Sequence, residues 1–134
     1  MALDWTHGDL SEGLRCFHSP AFFEAHEHWE SVWLAAHEPE KRFLQGLIQA
    51  AAGFHHFQGG NFPGTISLLR SALRRLDGYP PAFAGIAVAP LCAEIHLWLE
   101  AFEAVPRSSL PAPTCGQRVI EYTGRHPGRC QDDS

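Results

Sequence analysis

The chain has 134 residues, 45% of them hydrophobic, which suits one globular domain and excludes disorder throughout. Its formal net charge is −5 and its arginines are scattered along the sequence, so no basic patch marks it for a nucleic-acid partner. No apolar run approaches membrane-spanning length, and the opening Met1-Ala2-Leu3-Asp4-Trp5 has neither a basic nor an apolar signal region, so the expectation is a cytoplasmic protein with no membrane partner.

Apolar residues recur at helical spacing over most of the chain, and strand patterns are nearly absent. A first helix is predicted from Asp9, with Glu12 completing a capping box and Leu10, Leu14 and Phe17 on one face. Ser19-Pro20 reads as the cap and first residue of a second helix running to about Ala36, with Phe22, Ala25, Trp29, Trp33 and Ala36 as its buried stripe. Pro39 interrupts the chain. A third helix follows from about Glu40 to Phe57 and stops at Gly59-Gly60, which suits a left-handed cap.

Asn61 caps a fourth helix that buries Phe62, Ile66, Leu69, Leu73 and Leu76 and turns Arg70, Arg74 and Arg75 outward, ending at Gly78-Tyr79-Pro80-Pro81. A loop rich in Ala, Gly and Val leads to a fifth helix, Pro90 to about Ala104, burying Leu91, Ile95, Trp98 and Phe102. The fold class is all-α: a compact antiparallel bundle of about five helices with an irregular C-terminal tail. Residues 1–105 form the predicted bundle domain and residues 106–134 a Pro/Gly-rich tail. The four cysteines share no CxxC spacing. Cys16 and Cys92 fall in helical patterns, and Cys115, His126 and Cys130 are irregularly spaced donors in the tail, read as free thiols and a lone imidazole.

The chemistry-bearing segment is Phe22 to Trp33. His26 and Glu30 are four apart, hence neighbours on one helix face, and the wheel places both on the inward flank beside Trp29 and Trp33. A buried carboxylate is costly without a proton donor, cation or metal. From Phe43 to Phe57 the third helix has no Asp, Glu, Lys or Arg; its remaining stripe carries Gln45, Gln49 and His56, with Arg42 at its start. An antiparallel pair of helices would let that stripe meet His26 and Glu30.

With His56 as third ligand, the cluster would be a site for a divalent metal ion with an open position. Gln45 and Gln49 would orient ligands, and Glu27 or Glu30 would be the candidate catalytic base of a hydrolytic centre. The competing reading is a non-catalytic interaction or scaffold domain in which His26 and Glu30 are a structural hydrogen-bond network. A third is a pocket for a small anionic or aromatic ligand, lined by Arg42, Gln45, Trp29 and Trp33. The bare third helix also fits a homo-oligomer interface. Glu24–His28 and His96–Glu100 read as exposed pairs of little energetic value. His26-Glu27-His28-Trp29-Glu30 is not HExxH, because Glu30 stands at the second histidine, and Glu-x-x-His, GxSxG, P-loop and GxGxxG motifs are absent.

These blocks together resemble the bacterial and archaeal domain-of-unknown-function 309 family. The resemblance runs from about Gly13 to Phe102 and rests on Phe23 to Trp33, Phe43 to Ala52, His55-His56, Gly60-Asn61, and Leu68-Leu69 through to Tyr79-Pro80-Pro81. It implies an all-helical fold and a His-x-x-x-Glu-x-x-Trp motif associated with metal binding, here His26, Glu30 and Trp33. It implies no reaction.

Overall fold

The computed structural model describes residues 3–104, and the expectations for Cys115, residues 117–122, His126 and Cys130 lie outside them. Five helices account for most of this span: α1 Gly8–His18, α2 Phe22–Trp33, α3 Glu40–Gln58, α4 Phe62–Leu76 and α5 Val88–Ala104. Between α4 and α5 lies a two-strand antiparallel hairpin, β1 Ala82–Phe83 and β2 Ile86–Ala87, in the register Ala82↔Ala87 and Phe83↔Ile86. The all-α expectation holds. No helix among the described residues is long and apolar enough to cross a membrane.

Short connections make neighbours antiparallel. At one end of the α2–α3 pair Lys41 lies over the Trp33 ring, and at the other Phe22 meets Phe54. The centre is aromatic: Phe17 stacks on Trp29 at 5.9 Å and meets Phe22 at 5.0 Å, while Trp98 of α5 closes on Phe54 at 5.1 Å. All five side chains are buried. Each contributes about 1.5–3 kcal/mol or more by leaving water. Two glycines permit the close approaches. A methyl group at Gly13 would fall inside the Trp29 indole, so α1 and α2 touch there. At Gly46 it would come within 2.7 Å of Leu76, which sets the approach of α3 to α4.

The local starts and stops differ from the sequence expectation where distant contacts intervene. The capping box at Asp9 is absent: α1 begins at Gly8 with no side-chain cap. Pro20 lies outside α2 with a φ of 27°, and the helix begins at Phe22, because Ser19 instead closes the end of α1 by donating from its hydroxyl to the Cys16 carbonyl. The helix ends at Trp33, three residues early, and Leu34 and Ala35 continue as a turn. The Asn61 cap is present, its carbonyl accepting from Gly64 N at 3.1 Å, and Gly60 supplies the left-handed residue at φ 79°.

The loop after Pro81 is the hairpin. Ala84 and Gly85 both have positive φ, at 53° and 84°, as a type I′ turn requires. Trp5, which no periodicity singled out, donates its indole N–H to the Ala84 carbonyl at 2.9 Å and packs edge-on against Trp29. The N-terminal segment therefore pins the hairpin to the core. α5 begins two residues before Pro90, with Val88 N and Ala89 N both donating to the Pro81 carbonyl, and Pro90 falls in its first turn, where no intrahelical N–H is lost.

Candidate functional site

α2 presents two faces. Its inner one is Phe22, Ala25 and Trp29, fully buried. Its outer one begins at Phe23, 45% exposed, passes His26 and Glu30, and continues to Leu34, 69% exposed, in the helical turn that follows. The positions 23, 26, 30 and 34 recur at three- and four-residue steps, so they form one stripe.

His26 is held flat against Phe23, the ring centroids 5.8 Å apart and the planes 24° from parallel. Its Nε2 is 4.0 Å from Glu30 Oε1, too far for a hydrogen bond, and its Nδ1 is buried without a partner. The inward placement drawn for Glu30 is corrected: its side chain is 51% exposed. The wheel gave the direction of the flank, but among the described residues no further layer of structure covers it. The pair is accordingly not the buried hydrogen-bond network either. Glu27 is exposed beside it.

Trp33 is half-buried, with the Lys41 ammonium 4.4 Å above its ring and donating to its carbonyl at 3.2 Å; its own Nε1 is buried and unpartnered. Trp29 is core, its indole N–H donating to the Leu10 carbonyl, and it lines no site. That removes it as a ligand-stacking wall.

The polar stripe of α3 lies between its two neighbouring helices. Gln45, Gln49, Ala52 and His56 are all half-buried, and Gln49 Oε1 is buried without a partner. His56 turns toward the start of α4. The Asn61 carbonyl oxygen takes the Gly64 N–H, so its amide nitrogen donates to His56 Nδ1 at 2.9 Å. That leaves the proton of a neutral His56 on Nε2. Arg42 also serves α4, donating from Nη2 to the carbonyls of Arg74 and Asp77 at 3.2 and 2.8 Å and covering Tyr79. A C-terminal cap is its role in the fold, so it does not join Trp29 and Trp33 in a pocket.

The structure thus brings His26 and Glu30 together and leaves His56 elsewhere. The histidine on the α2 side is His55, 5.2 Å from Phe23, which the sequence reading passed over. Successive helical residues point about 100° apart, so only the arrangement of α2 and α4 around α3 distinguishes the two. Among the described residues no group of three or more His, Cys, Asp or Glu side chains is arranged to hold a metal ion. Two donors from one helix fall short of the three that a catalytic zinc centre takes, so the described residues by themselves do not fit that centre.

A clamp that the sequence reading missed joins α1 to α2. His28 Nδ1 and Ser31 Oγ both donate to the Asp9 carboxylate at 2.8 Å. The hydrogen bond from His28, then that from Ser31, holds the Asp9 carboxyl below the usual carboxylate range. His28 therefore does not pair with Glu24. Neither described cysteine is activated: burial pushes the Cys16 and Cys92 thiols up.

The fold and this stripe define a small helical bundle that carries its distinctive residues on an open helix face. Residues 10–68 match the family described as domain of unknown function (DUF309). The match runs from α1 to the middle of α4 and is to the same family that the sequence blocks resemble. An uncharacterized protein of Aquifex aeolicus (strain VF5) is 34% identical over 92 residues, which cover 68% of this chain and 26% of that protein. The chain spans about a quarter of the length of the curated relative it matches.

Proposed function

We propose that the domain is a non-catalytic helical interaction module whose contact surface is the outer face of α2. The observation that carries this reading is the exposure of Phe23 and Leu34 at 45% and 69%, on the same stripe as His26 and Glu30. Apolar anchors at both ends of a polar centre suit a protein contact, in which a few apolar side chains supply the affinity and polar groups set the register. The unpartnered Nδ1 of His26 and Nε1 of Trp33 belong to the same region and are polar groups that folding alone leaves unsatisfied. The hollow beside Phe23, lined by Pro20, Phe22, His55 and Gln58, is about 360 Å³ and open, and it includes neither His26 nor Glu30. The relative in which the matched segment fills only a quarter of a longer chain supports a modular role.

The test is site-specific photocrosslinking in the native host, with a photoreactive residue replacing Leu34 and, as control, Glu100 on α5. A discrete adduct from position 34 alone, lost when Phe23→Ser is added, is the expected result. Equal adducts from both positions, or none, would overturn the reading. Metal analysis of tag-free protein runs alongside: near-stoichiometric metal that disappears in His26→Ala would replace this reading with the metal-binding one.

A further inference from the structure

Three arginines lie close together on α4, and the fold brings a fourth to its end. α4 contains Arg70, Arg74 and Arg75, all exposed, and no acidic residue, and Arg42 crosses from α3 to the end of the same helix. These are four of the chain's ten Lys and Arg residues, on a protein whose net charge is −5. Arg70 has a carboxylate partner in Glu103 at 3.4 Å, whereas Arg74 donates to the neutral Ser71 hydroxyl and Arg42 to carbonyls. Arg75 and Arg74 gain from the C-terminal end of the helix dipole, but Arg70 sits mid-helix. Like charges at positions 70 and 74 repel across one turn. Helix stability alone does not call for that pair.

Two hollows flank these charges and meet at Arg74. One, of about 400 Å³, is lined by Pro63, Ile66, Ser67, Arg70 and Arg74. The other, about 730 Å³, lies between the end of α4 and the start of α5; Leu76, Pro81, Val88 and Cys92 give it an apolar floor, and Arg74 and His96 line it as well. Arg70 and Arg74 therefore stand beside two hollows, the larger of them floored by apolar side chains.

We propose that this strip is a docking surface for an acidic segment of a protein partner, one that carries apolar side chains between its carboxylates. Charge complementarity selects the sign of the partner, and the two hollows select a peptide with apolar anchors over a bare polyanion. This surface is separate from the outer face of α2 and does not depend on the reading given to it.

The test is fluorescence anisotropy with a short fluorescein-labelled peptide of repeating Glu-Glu-Leu, titrated with the full chain at low salt and at about 0.15 M. Three other probes run in parallel: the same peptide with Lys for Glu, a single-stranded oligouridylate, and phosphatidylserine vesicles. Binding of the acidic peptide that weakens with salt is expected. The Arg70→Gln/Arg74→Gln double variant should weaken it about tenfold, while Arg15→Gln on α1 leaves it unchanged. Circular dichroism confirms that the variants are folded. Failure of the acidic peptide to bind, binding indifferent to the double variant, or preference for the RNA or the vesicles would overturn the proposal.

Discussion

The inner and outer faces of α2 are two parts of one twelve-residue helix made to different demands. On the inner face the two large side chains are fixed by neighbours: Phe22 by Phe17 and Phe54, Trp29 by Trp5, Phe17, the Leu10 carbonyl and the missing side chain of Gly13. On the outer face Phe23, Glu30 and Leu34 are exposed, and His26 keeps one ring nitrogen without a partner. The inner stripe explains why the chain folds. The outer one holds the residues that folding does not account for, and a functional contact is expected among such residues.

The largest effect that sharpens this contrast is Trp29→Ala. It removes a fully buried indole touching α1 and the N-terminal segment at once. A loss of about 3–5 kcal/mol is expected from urea denaturation, enough to unfold much of the population of a marginal domain. A loss below about 1 kcal/mol would mean that the inner face does not carry the stability this comparison assigns to it.

Of intermediate size is the clamp at the rim between the faces. Asp9→Asn removes the charge that accepts hydrogen bonds from both His28 and Ser31, so the melting temperature at neutral pH falls, by less than in Trp29→Ala. The Asp9 carboxyl is held below its ordinary value in the folded state, first by the His28 hydrogen bond and then by that from Ser31. Its contribution is therefore complete above the ordinary carboxylate range, about pH 4, and is lost as the pH drops through the lower folded value. The gap between wild type and Asp9→Asn should close below about pH 4. A gap that stays constant into acid would show that the clamp works through shape and not through charge.

How much of this was legible in the sequence follows from the range of the interactions. Periodicity within one helix located Phe22, Ala25 and Trp29, and local chemistry located the Asn61 cap and the stop at Gly60, because each signal lies within a few residues of its effect. Asp9 looked like half of a capping box with Glu12, but its partners lie 19 and 22 residues away and outcompete the local bond. Trp5 stood alone before the first helix, and its anchor at Ala84 is 79 residues distant. The choice between His55 and His56, and the exposure of Glu30, depended on which helices lie to either side, information that no single helix carries. Arg70, Arg74 and Arg75 were legible as outward-facing, and only the approach of Arg42, which depends on the packing of α3 on α4, was not.

The smallest expected effect is the most discriminating. Glu30→Gln keeps the shape of a half-exposed side chain that makes no hydrogen bond to His26, so stability should change by no more than about 0.5 kcal/mol. A carboxylate that completed a buried ion pair would instead cost about 3–5 kcal/mol on losing its charge, by leaving the imidazole alone in the interior. If the melting curve is unchanged while the adduct at position 34 weakens, Glu30 belongs to the contact and not to the core. A drop of several kcal/mol would mean that the outer face is covered in solution. The distinction between the two faces of α2 would then collapse into a single buried network.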